Sequence, residues 1–133
     1  ILFVKDGSYG RRDYRGSGRT VSRGLQGNLL RYLDRVELAT TAESREQGLV
    51  TARGMGLTYL FEAIVLNWED RATQWSGRPD RISIRFAVFN VESGRKLAAA
   101  EEHASSKWFT FGGDHPQDLV PRLSKRFVDH LFR

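Results

Sequence analysis

Cysteine is absent from the 133 residues. That excludes disulfides, thiol nucleophiles and cysteine-bound zinc, although it leaves the compartment open. Long apolar runs are missing too. No stretch approaches the roughly 20 residues that cross a bilayer as a helix. Histidine is thin: His103, His115 and His130 form no pair at i, i+3 or i, i+4 that would hold a metal. Internal repeats and low-complexity tracts are also lacking.

What is present is ordinary for a folded chain. Hydrophobic residues make up 40% and charged residues 28%, which argues against disorder. The length suits one domain over residues 1–133, hiding about two-thirds of its unfolded surface. Residues 1–5 (ILFVK) read as a strand rather than a signal peptide. A chain that opens inside a strand is expected to continue upstream, where a targeting segment would lie.

Charge is unevenly placed. The formal net charge is +5, from 21 basic and 16 acidic residues. Residues 1–35 hold eight basic and three acidic side chains; residues 36–133 hold thirteen of each. The excess therefore sits at one end. Arg11, Arg12, Arg15, Arg19 and Arg23 are opposed there only by Asp13. Arginine forks favour phosphate and carboxylate. Two readings stand: a solvated basic loop, or a segment that meets an anionic partner.

The hydrophobic pattern predicts an α+β domain in the order β-α-β-α-β-β-β-α. The expected architecture is one mixed sheet with helices packed on it and a C-terminal antiparallel meander. Residues 1–5 form the first strand, and a glycine-rich loop covers 6–18. A helix is predicted over 20–34, since Val21, Leu25, Leu29 and Leu33 recur every four residues. Gly24 and Gly27 weaken it unless they serve close packing. Residues 36–39 read as a second strand. Thr40-Thr41-Ala42-Glu43 fits a capping box for a helix to about Met55, with Gly56 at its end. Residues 57–69 are apolar on both faces, as in a central strand. Residues 81–91 alternate, and Ser93-Gly94 turns the chain into a strand over 96–108. Pro121 lies too far in for an unbroken helix from Pro116, so a short turn over 116–120 and a helix from Pro121 are expected.

Catalytic motifs do not fit. Gly16-Ser17-Gly18-Arg19-Thr20 superficially matches a phosphate loop, but Asp13 stands where the first glycine belongs and Arg19 replaces lysine. Adjacent Glu101 and Glu102 on a strand point to opposite faces and cannot act as a pair. No Gly-x-Ser-x-Gly elbow occurs. An enzyme is not expected, nor a cofactor or metal.

The unusual residues cluster elsewhere. Residues 67–81 hold two tryptophans, three arginines and three carboxylates, and 107–116 follow the last strand. Meander geometry brings both segments to one end of the sheet. Trp68, Trp75, Arg78, Asp80, Trp108 and Phe109 are thus candidates for a partner-binding surface. The alternative is a structural plug that closes the core and pins a long loop.

Those two segments, Trp68 to Arg81 and Trp108 to Leu119, resemble a family of small lipoproteins of Gram-negative bacteria, pseudomonads among them. The element order, with residues 52–60 running into a long strand, is also similar to a broader fold. It includes the N-terminal domain of the Tol translocation protein, the curli-secretion lipoprotein, the lipoprotein activators of penicillin-binding proteins and the Pel polysaccharide export lipoprotein. The resemblance implies a periplasmic, outer-membrane-anchored lipoprotein, held by a lipid on a cysteine upstream of residue 1. It implies binding or scaffolding without catalysis. Expected partners are another envelope protein or an anionic lipid or polysaccharide, with a homo-oligomer possible. The alternative from another class is a nucleic-acid-binding module that uses the arginines with Tyr9 and Tyr14.

Overall fold

The computed structural model describes residues 1–69, 81–105 and 116–133. Its elements are β1 (Ser8–Tyr9), β2 (Arg12–Asp13), α1 (Ser17–Leu29), α2 (Arg45–Gly54), β3 (Tyr59–Glu69), β4 (Arg81–Asn90), β5 (Lys96–Ser105) and α3 (Pro116–Leu131). The α+β class and the C-terminal meander under packed helices are as expected. Among the described residues there are two sheets, both antiparallel, rather than one mixed sheet: β1-β2, and β3-β4-β5.

Strict alternation builds β4. Ile82, Ile84, Phe86 and Val88 are each at most 4% exposed, while Arg85 faces solvent on the other side. The turn after β4 closes at Gly94, whose N–H donates to the Asn90 carbonyl (2.8 Å). The Asn90 side chain accepts from the Ser93 N–H (2.9 Å) and completes it.

The inner face of the meander carries α1 and α3 side by side and parallel. Gly24 lies against Val120, Asn28 donates to Ser124 Oγ (2.7 Å), and Arg31 reaches Asp129 (3.1 Å). A Cβ on Gly24 would stand 2.8 Å from Val120 Cγ1, so this glycine lets the two helices approach. Gly27 has nothing within 4 Å and serves no such purpose. Val21, Leu25 and Leu29 of α1 join Leu119, Leu123 and Phe127 of α3 in the core. The Phe127 ring stacks on Phe86 at 5.1 Å. Each such side chain contributes about 1.5–3 kcal/mol by leaving water.

The opposite face holds a smaller core of Leu2, Ala52, Leu60, Ala87, Phe89 and Val91 beneath α2. With ten residues, α2 covers only one end of that face. Residues 57–69 are therefore not covered along both faces as their composition suggests, nor are they the central strand of the β3-β4-β5 order. β4 is central, β3 flanks it, and Ile64 and Leu66 are 42% and 40% exposed while Leu60 is 5% exposed.

Other boundaries shift for local reasons. Residues 1–5 form no strand, yet they run alongside β3 in the same direction. Leu2 donates to the Phe61 carbonyl (2.9 Å), and Gly7 reaches Val65 and Trp68. Residues 36–39 form no strand either; Ala39 donates to the Ile1 carbonyl (2.9 Å). Instead of spanning 20–34, the first helix starts at Ser17 and ends at Leu29, and beyond it Leu30 and Tyr32 are exposed. The Thr40 capping box does not form, because Glu43 accepts from Thr51 Oγ1 (3.2 Å) instead. Ser44 caps α2, accepting from the Gln47 N–H (3.1 Å). Nor does a break precede Pro121. It sits inside α3, exposed, and so is Gln117, whose carbonyl loses its helical donor there.

Candidate functional site

The loop expected over 6–18 contains a small hairpin. Ser8 pairs with Asp13 and Tyr9 with Arg12, leaving Gly10-Arg11 as its turn. The hairpin is tied at its base. Tyr14 donates to the Gly7 carbonyl (3.0 Å), Gly7 donates to Ser17 Oγ (2.7 Å), and Ser17 donates to the Tyr14 carbonyl (2.7 Å). Asp6 accepts from the Gly18 N–H (2.9 Å) and so supplies an acceptor to the first turn of α1 from outside the helix. A flexible-looking glycine stretch thereby becomes a fixed platform.

All five arginines of this segment are exposed. Arg11 and Arg12 lie at the hairpin tip. Arg15 precedes α1, and Arg19 and Arg23 continue at four-residue intervals along its outer side. Arg12 lies over the Tyr14 ring at 5.2 Å. None of the five forms an ion pair among the described residues. Their position opposes local electrostatics. The first turn of α1 has no acidic residue, and cations beside a helix N-terminus typically cost about 0.3–1 kcal/mol each. The nearby carboxylates are Asp6, which accepts from the first turn of α1, and Asp13 of β2. A basic cluster held where its own helix disfavours it is suited to meeting a negative partner.

The tryptophan end is described only in part. Trp75, Arg78, Asp80, Trp108 and Phe109 lie outside the described residues. Trp68 is 4% exposed, in the main core beside Ile82. It therefore supports the sheet and offers no surface to a partner. Glu69 next to it is also buried and accepts from Asn67 Nδ2 (2.9 Å).

One polar group escaped sequence reasoning. The register places Ser83 opposite His103 and Arg85 opposite Glu101. Ser83 Oγ lies 2.7 Å from His103 Nδ1, and His103 Nε2 lies 3.3 Å from Glu101, which also meets Arg85 at 3.4 Å. The composition is that of a hydrolytic Ser-His-acid relay, and only strand pairing could have revealed it. His103 is 62% exposed on the open sheet face, and the backbone around Ser83 and His103 is engaged in the β4–β5 ladder. Among the described residues no group of three potential ligands is arranged to hold a metal.

No curated protein matches the chain. Among solved structures it is similar to PelC from Paraburkholderia phytofirmans, a dodecamer. The TM-score is 0.70 at 14% identity, covering 96% of this chain and 83% of that one. A single-residue variant of the same dodecamer gives 0.68 at 13% identity, over 96% and 84%. A Xanthomonas campestris protein of the DUF330 family is more distant, at TM-score 0.45 and 11% identity, over 98% and 70%. The fold is thus shared with PelC. The model of the DUF4823 family, a domain of unknown function, matches residues 1–131, and the chain belongs to that family.

Proposed function

We propose that the chain is a non-catalytic lipoprotein domain of the bacterial cell envelope that binds or scaffolds at the periplasmic face of the outer membrane. It is anchored there by a lipid on an upstream cysteine, and it presents its arginine platform to anionic lipid phosphates. The observation that carries this reading is the set of five exposed arginines without an ion pair among the described residues, held on a tied hairpin and the start of α1. The fold shared with PelC supports it, and the dodecameric state of PelC supports assembly of this chain into a homo-oligomer. Each basic contact near an anionic surface is worth about 1 kcal/mol.

Co-sedimentation with phosphatidylglycerol and phosphatidylcholine vesicles tests the docking. Binding is expected to the first only, and to fall with salt. Binding that ignores lipid charge would refute it. Equal, salt-dependent binding to random DNA would favour the nucleic-acid reading instead. Native mass spectrometry of the chain tests the oligomer, and cell fractionation with radiolabelled palmitate tests the anchor.

A further inference from the structure

We propose that the cleft between α3 and β5 is a second anion site, one that takes a multiply charged phosphate or diphosphate group. The cleft measures about 450 Å³ and is lined by Glu102 of β5 and by residues of the chain's last helix and end, from Arg122 to Arg133. Arg122, Arg126 and His130 follow at four-residue intervals on one stripe of α3, and Arg133, beyond the end of the helix, lines the same space.

The carboxylates of this cleft are already engaged. Asp129 accepts from Tyr32 (2.9 Å) and from Arg31 (3.1 Å), and it also pairs with Lys125. Glu102 lies 3.9 Å from Arg126, which donates to the His103 carbonyl (3.3 Å) and is thereby fixed in direction. Arg122 and Arg133 have no ion pair or hydrogen bond among the described residues. Arg122 and Arg126 are like charges one turn apart, an arrangement that destabilises a helix on its own. A dianion in the cleft removes that repulsion. It also takes the planar forks of two free arginines, which match phosphate oxygens in pairs. The site stands on a different element from the α1 arginines and does not depend on them.

The probe is sodium pyrophosphate, titrated into the full chain by calorimetry at fixed chloride. Saturable binding at one site is expected. Arg122→Ala with Arg133→Ala should weaken it by at least about tenfold, since charged hydrogen bonds are lost. Both side chains are exposed and have no partner among the described residues, so the melting temperature should stay put. Arg11→Ala with Arg12→Ala should leave pyrophosphate affinity unchanged, which separates this site from the vesicle-docking surface. Arg122→Lys with Arg133→Lys keeps the charge and loses the forks, and should fall between wild type and the alanine pair. Vesicles containing phosphatidic acid distinguish the source. Binding lost with the Arg122 and Arg133 pair marks a lipid headgroup; binding of soluble pyrophosphate alone marks a free phosphate. Non-saturable binding, or equal affinity in the alanine pair, overturns the proposal.

Discussion

Gly18 lies so close to Val4 that a Cβ on it would stand 2.1 Å from the Val4 carbonyl oxygen. The start of α1 therefore rests directly on the backbone of the extended segment that borders β3. This contact sets where the arginine platform sits, because Gly18 also donates to Asp6 at the base of the hairpin. Backbone cannot retreat as a side-chain tip can. Gly18→Ala should therefore cost about 2–4 kcal/mol and lower the melting temperature by roughly 10 °C. Gly27→Ala is the matched control. It adds a methyl to the same helix where nothing lies within 4 Å, and should stabilise by about 0.5–1 kcal/mol. Thermal melts of the two variants check both. A Gly18→Ala protein as stable as wild type would refute the contact.

The uneven covering of the outer sheet face gives a second test. Leu60→Ala removes a buried side chain beneath α2 and should cost about 2–5 kcal/mol. Ile64→Thr, four residues along the same face, should stay within about 0.5 kcal/mol, since Ile64 is exposed and threonine suits a strand. Urea unfolding of each variant measures the difference. Equal losses would mean that the far end of the face is covered as well.

Asp129 links stability to pH. Hydrogen bonds from Lys125 first and Tyr32 second hold its carboxyl below the usual aspartate value, with the Lys125 and Arg31 charges adding to them and desolvation opposing. A depressed folded value means that its contribution is full above the unfolded aspartate range, near pH 4. That contribution fades as pH falls through the lower folded value. Asp129→Asn should therefore melt below wild type by a constant margin from pH 7 to pH 5. The margin should close on acidification below pH 4. A margin that persists at the lowest pH would show that carboxylate ionisation is not what Asp129 supplies.

The tryptophans should divide by role. Trp68→Ala opens the core and should cost roughly 3–5 kcal/mol, lowering the melting temperature by 10 °C or more. If Trp75 binds a partner, Trp75→Ala should change it by less than about 2 °C while the partner is lost. A large loss from Trp75→Ala would make the 70–80 segment a plug.

Much of this was legible from local pattern. Ile82, Ile84, Phe86 and Val88 alternate without exception, and β4 follows. Val21, Leu25 and Leu29 mark the buried face of α1 well, but Leu33 extended the apparent helix past its end. Residues 57–69 misled because Ile64 and Leu66 look like core; only the short length of α2 shows that nothing described covers them. The arginine run was visible as a run. Its fixed geometry was not, because the ties from Gly7 to Ser17 and from Gly18 to Asp6 join residues ten and twelve apart. The α3 cleft was hidden because its lining comes from two distant elements, Glu102 on β5 and the residues from Arg122 to Arg133. Only tertiary contacts show Asp129 engaged by Arg31 and Tyr32, and Arg122 and Arg133 without an ion pair among the described residues.

The most direct measurement of the central claim is the partition of the chain onto phosphatidylglycerol vesicles as arginines are reversed one at a time. The series is Arg11→Glu, then adding Arg12→Glu, then adding Arg19→Glu, each protein first checked by melting. Near an anionic surface each lost cation costs about 1 kcal/mol, and each added anion costs further. The account predicts a stepwise fall of at least about fivefold per substitution, with melting temperatures unchanged and the steps shrinking as salt rises. Partition that stays at the wild-type level through all three reversals would contradict it.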